Sequence, residues 1–95
     1  MFIVLLSYKR PIEELDAHLI THRTFLDEGY AQNILVASGP QDPRTGGVLI
    51  SQLNDRKKLE DFLERDPFKV HGLADYQLIK FLPVKYHPDF ESFVE

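Results

Sequence analysis

The chain has no cysteine. Disulfides, cysteine-ligated zinc, iron–sulfur clusters and a thiol nucleophile are therefore excluded. It also has no excess of positive charge: 11 lysines and arginines stand against 15 aspartates and glutamates, for a net charge of −4. A non-specific nucleic-acid binder is normally basic, and docking on an anionic membrane also needs cations, so neither partner is expected. No apolar stretch approaches the roughly 20 residues that span a bilayer. The apolar run 2–6 is too short for the hydrophobic region of an export signal, and no basic segment precedes it. Cytoplasm is the expected compartment. There is no repeat, linker or low-complexity tract, so the 95 residues are expected to form one domain over 1–95. Its last part, 83–95, reads as a tail packing on the domain or on a partner subunit.

What is present is an alternation of short strands and amphipathic helices. Residues 2–8 are nearly all apolar and rich in β-formers, which suits a strand buried on both faces. Pro11 opens a helix, and Glu13 and Glu14 suit its positive end. Apolar residues at Ile12, Leu15, Leu19, Leu26 and Tyr30 carry that helix over 11–32, with Gly29 weakening its last turn and Asn33 as a left-handed stop. Strands follow at 34–38 and 48–53, joined closely enough for an antiparallel hairpin. Asn54 is the expected cap of a second helix, whose apolar face is Leu59, Phe62 and Leu63 and which ends near Asp66, because Pro67 disfavours helix at the residue before it. A fourth strand covers 76–82, and one helical turn is expected near Phe90.

The order β-α-β-β-α-β specifies an α+β ferredoxin-like sandwich: a four-stranded antiparallel sheet with two helices on one face. The far face of that sheet stays partly apolar, since Ile3 and Leu5 alternate with Phe2, Val4 and Leu6. A half-bare apolar sheet calls for a partner, and homodimerisation through the sheet face is the simplest solution.

Two polar residues fall where apolar ones belong. His22 lies three after Leu19 and four before Leu26, on the inward stripe of the first helix. It is either a cleft imidazole acting as a general base or acid near neutral pH, or a core histidine satisfied by a backbone carbonyl. Asp66 lies four after Phe62 and three after Leu63. It is either a carboxylate that orients an imidazole, or a turn residue bonding local N–H groups ahead of Pro67 and Phe68. Both helices cover the same sheet face, so the two side chains could meet. Pairing would relieve the cost of burying each alone.

Ser38 offers a hydroxyl and Gly39 an N–H for an oxyanion, but Gly39–Pro40 also reads as a plain tight turn. No G-x-S-x-G elbow surrounds the serine, so a serine nucleophile is not expected. Arg44, the one basic residue between Arg23 and Arg56, could hold a carboxylate or phenolate, or be a solvated loop arginine. Gly46–Gly47 lacks the downstream residues of a phosphate loop. His18 and His22 are four apart on one helix, yet no H-E-x-x-H pattern links them, and no metal site is expected. Arg56, Lys57 and Lys58 read as a solvated helix face. Tyr8, Tyr76, Tyr86, Phe90 and Phe93 read as core or dimer contacts.

These residues together resemble the YciI-like (YCII-related) family over nearly the whole chain. The resemblance rests on His22 with Phe25–Leu26, Ser38–Gly39–Pro40, Pro43–Arg44–Thr45–Gly46–Gly47, Asp66–Pro67–Phe68, Gly72–Leu73 and the final strand through Phe81. One departure is Asn33, where many members carry glycine; asparagine tolerates the same left-handed backbone. The resemblance implies a dimeric α+β barrel, similar in fold to muconolactone isomerases and small cofactor-free monooxygenases. It implies a His–Asp active-site pair at His22 and Asp66, with Ser38 lining the cleft. A few members of the family act in breakdown of chlorinated aromatics by dehydrochlorination.

The expected function is that of a cofactor-independent lyase or isomerase. His22 would take a proton from a small cyclic or aromatic substrate, Asp66 would fix its tautomer, and Ser38, Gly39 and Arg44 would hold the anionic part. The alternatives are a non-catalytic small-metabolite-binding or accessory dimer module, and a His22–Asp66 pair that is only structural.

Overall fold

The computed structural model describes residues 1–94; Glu95, the last residue of the expected tail, lies outside the described residues. Four strands, β1 (Phe2–Tyr8), β2 (Leu35–Pro40), β3 (Gly46–Ser51) and β4 (Ala74–Lys80), form one sheet in the order β2-β3-β1-β4. Every neighbouring pair is antiparallel. Four helices, α1 (Ile12–Ala17), α2 (Leu19–Ala31), α3 (Arg56–Leu63) and α4 (Pro67–Val70), complete the α+β ferredoxin-like arrangement. The core joins Phe2, Val4 and Leu6 of β1 and Leu49 of β3 to Leu15, Phe25, Leu26, Leu59, Phe62, Leu63 and Phe68 of the helices.

The differences from the expected boundaries have local causes. The single helix over 11–32 is two helices, with Pro11 and His18 as flanking residues. At His18 the backbone opens to φ −113°, and its N–H closes α1 on the Leu15 carbonyl at 3.0 Å. Asn33 does take the left-handed conformation, at φ 58°. Gly29 serves packing: a Cβ there would lie 2.7 Å from Phe62 Cζ and 2.8 Å from Leu35 Cδ1, so its absence lets α2 close on α3 and β2.

Strands β3 and β4 both start and stop two residues earlier than expected. Ser51 and Lys80 each pair with Phe2, so both ladders end where β1 begins. The early start of β3 needs Gly46, because a Cβ there would lie 1.9 Å from the Leu6 carbonyl oxygen. Strand β2 runs on through Gly39 and Pro40 instead of turning. It is an edge strand, where proline needs no partner for the N–H it lacks. Its register shifts between Leu35 and Ala37, which swaps the residues facing the helices. Ser38 thereby comes opposite the buried Leu49, on the helix side.

The cap of α3 is Asp55, whose side chain accepts from Lys58 N–H at 3.2 Å. Asn54 is engaged elsewhere, accepting from the chain's N-terminal ammonium at 2.7 Å. In the tail, Pro88–Phe93 forms a short 3₁₀ helix in which Phe90 packs on Phe93, as the expected turn near Phe90 required. Leu82 and Val84 project into solvent. The sheet face away from the helices carries half-buried Ile3, Leu5, Val48 and Ile50, with Ile79 exposed. No helix among the described residues is long and apolar enough to cross a membrane.

Candidate functional site

His22 occupies the buried face of α2 with Phe25, Leu26 and Gly29. Asp66 does not belong to α3, which ends at Leu63. It caps the separate four-residue helix α4, and Pro67 in the first turn makes the chain restart there. As a cap, Asp66 Oδ1 accepts from Phe68 N–H at 3.0 Å. The same oxygen lies 2.7 Å from His22 Nδ1, and Oδ2 accepts from the Tyr76 hydroxyl at 2.6 Å. One carboxylate thus bonds the local N–H and meets the imidazole. It has no solvent exposure, and His22 retains 8%.

Three groups converge on this carboxylate. Phe68 N–H and the Tyr76 hydroxyl are donors, which suits an ionised Asp66 with acceptor oxygens only. His22 Nδ1 therefore carries its proton toward Oδ1. In the neutral ring this leaves Nε2 as the acceptor. Burial first, and then the Asp66 charge, push the Tyr76 phenol far above its ordinary range, so Tyr76 remains a donor. Phe68 holds the ring from the side: its plane stacks on His22 at 3.9 Å and 5°.

His22 opens onto a cavity of about 180 Å³ between α2 and the β1–β3–β2 part of the sheet. Leu6, Leu26, Leu49 and Phe68 provide apolar walls, and Ser38, Gly39 and Arg44 reach the same space. The expected substrate-binding residues are thus gathered around His22, with Asp66 behind the ring. The Ser38 Oγ shares a hydrogen bond with the Tyr30 hydroxyl at 2.5 Å. Arg44 is not a free loop arginine. Its Nη1 donates to Asp16 at 2.7 Å and its guanidinium lies 5.8 Å from the Tyr8 ring centroid. Asp16 and then Tyr8 raise its pKa further, so its charge is fixed. Its Nη2 is buried without an acceptor among the described residues.

The pairing that helical spacing offered to His18 and His22 does not occur. His18 stacks on His71, at 4.0 Å and 24°, while His22 turns to Asp66 and Phe68. The sequence reading missed the roles of Tyr76, Tyr8 and Tyr30. Tyr76 alternates with Ala74 and Leu78 on β4, so its position reads as core. The available signal was its hydroxyl, which needs an acceptor wherever a tyrosine turns inward.

The YCII-related domain matches residues 1–82. The chain belongs to this family. The matched span includes His22, Ser38, Gly39, Arg44 and Asp66 and stops before the tail. Among solved structures, the chain is similar to 5-chloro-2-hydroxyhydroquinone dehydrochlorinase (TftG) from Burkholderia phenoliruptrix AC1100, determined in complex with 2,5-dihydroxybenzoquinone. The TM-score is 0.69 at 22% identity, over 85% of this chain and 93% of that one. This likeness establishes the shared fold. No curated protein matches the chain.

Proposed function

We propose that the protein is a cofactor-independent enzyme of lyase or isomerase type acting on a small cyclic or aromatic substrate, with His22 as its general base. The observation that carries this reading is the divided role of the imidazole. Nδ1 is tied to a buried carboxylate and the ring faces an open cavity, so Nε2 is the nitrogen available to a ligand. A base needs a fixed tautomer and a lone pair within reach of the proton it removes. In the step proposed, Nε2 takes a proton from an acidic carbon and the bonding electrons pass into the substrate. They then expel a leaving group, in a lyase, or are reprotonated at another carbon, in an isomerase. The Nδ1–H bond to Asp66 stabilises the imidazolium formed.

The cavity volume supports a small ring, since it lies below the roughly 300 Å³ at which pockets for drug-sized ligands begin. The ligand of the TftG complex, 2,5-dihydroxybenzoquinone, is a single ring and supports the same size class. A homodimer through the far sheet face belongs to the proposal. It rests on Ile3, Leu5, Val48, Ile50 and Ile79 across that face, with Leu82 and Val84 exposed in the segment after β4. On this view 1–95 is one domain whose segment after 82 packs against the partner, in a cytoplasmic protein.

The test is proton exchange. Cyclic carbon acids are incubated with the protein in deuterated water, and deuterium uptake is followed by NMR. Uptake or turnover that disappears in a folded His22→Gln variant is expected. Ligands that stabilise the protein without exchange or turnover would instead identify a binding module.

A further inference from the structure

The charges around the cavity do not divide as the sequence suggested. Two arginines, Arg23 and Arg44, reach it beside His22, and no acidic residue among the described residues lines it, although the chain as a whole is acidic. Arg44 already has its counter-charge in Asp16. The buried Asp66 does not line the cavity, and its two oxygens are already met by His22 Nδ1, the Phe68 N–H and the Tyr76 hydroxyl. Arg23 is different. It is exposed at the cavity rim and makes no ion pair among the described residues, even though Asp27 lies one turn further along α2. One positive charge at the cavity is therefore unmatched, and one buried donor, Arg44 Nη2, lacks an acceptor.

We propose that Arg23 is the anion anchor of the site and Arg44 a hydrogen-bond donor to a neutral oxygen, so that the cavity takes a singly charged ring acid bearing a carbonyl or hydroxyl group. This rests on reading the cavity as a substrate site. A carboxylate on the ring meets Arg23 at the rim, where a guanidinium can grip both oxygens. The ring lies between the apolar walls Leu6, Leu26, Leu49 and Phe68. The second oxygen accepts from Arg44 Nη2, relieving a buried charged donor that otherwise has no acceptor. The one ligand charge is then met by Arg23, while Arg44 keeps Asp16 as its counter-charge and Asp66 keeps its three hydrogen-bond partners behind the ring.

The experiment compares 4-hydroxybenzoate with 4-hydroxybenzamide, nearly the same shape without the charge. Binding is followed through the NMR signals of the His22 ring and the unfolding temperature. The native protein is expected to bind the acid roughly tenfold more tightly than the amide, a preference that weakens with added salt. Arg23→Gln, a change at an exposed position, is expected to bring the two affinities together while leaving amide binding as it was. An acid preference that survives Arg23→Gln would overturn the anchor and leave the substrate-site reading intact. Equal affinities in the native protein would overturn the charge assignment. If neither compound moves the His22 signals, the cavity is not a ring-binding site, and the proposed function falls together with the anchor.

Discussion

His22 Nδ1 lies 2.7 Å from Asp66 Oδ1, across 44 positions of sequence. The pair forms because two independent local events point at one spot. Helical spacing turns His22 inward from α2, and the Asp-Pro-Phe turn aims the Asp66 side chain back over the start of α4. The carboxylate is then shared by an imidazole, a backbone N–H and a phenol. The sharing decides what each substitution does.

Asp66→Asn keeps the size of the side chain but removes the charge and turns one acceptor into a donor. Three donors cannot all be satisfied by one remaining oxygen. A loss of about 3 kcal/mol is expected, consistent with breaking a buried pair and leaving donors unmatched. Urea unfolding measures it. Nitrogen chemical shifts of His22 should also report the proton moving from Nδ1 to Nε2, since the amide can face the ring with its NH₂.

Tyr76→Phe removes only the bond to Asp66 Oδ2. A hydrogen bond to a charged group contributes about 1.5–3 kcal/mol, and a loss of that order is expected. The pH dependence has a definite sign. The folded phenol pKa is raised, so the unfolded chain releases this proton first, near pH 10. The stabilisation is complete below that pH and is lost as pH rises above it. Denaturation between pH 9 and 11 should show the native protein losing stability more steeply than Tyr76→Phe.

His22→Gln leaves Asp66 with two of its three donors and Phe68 without its stacking partner. A cost of about 1 kcal/mol is expected, smaller than for Asp66→Asn. For a domain of this size that lowers the unfolding temperature by roughly 4–8 °C. The comparison by calorimetry separates Asp66, which organises the turn, from His22, which faces the cavity.

Ile50→Lys places a charge on the sheet face away from the helices, opposite Ala37 and Ile3. Sedimentation should show a dimer for the native protein and a monomer for the variant. The His22 NMR signals should be unchanged, because Ile50 points away from the cavity.

Much of this was legible in the sequence. Strand β1 was read to the residue, because a run of β-formers closed by Arg10–Pro11 leaves little choice. His22 stood out as one polar residue on an apolar helical stripe. The ends of β3 and β4 were not legible, because they are set by where β1 begins, a tertiary fact. The inward turn of Ser38 depends on a register shift in β2 that no local pattern announces. Asp66 was correctly paired with His22 but on the wrong support: its spacing from Phe62 suggested the end of a helix, whereas it opens the next one. Tyr76 looked like core because only the position of Asp66 gives its hydroxyl a purpose.

The most direct measurement is the tautomer of His22 and its response to a ligand, by nitrogen and carbon NMR of the labelled protein, with His22→Gln assigning the signal. The expected result is a neutral ring protonated at Nδ1, whose Nε2 signal shifts when a small phenol or cyclic acid is added. A ring protonated at Nε2 and indifferent to every such ligand would contradict the general-base reading and leave His22 a structural core histidine.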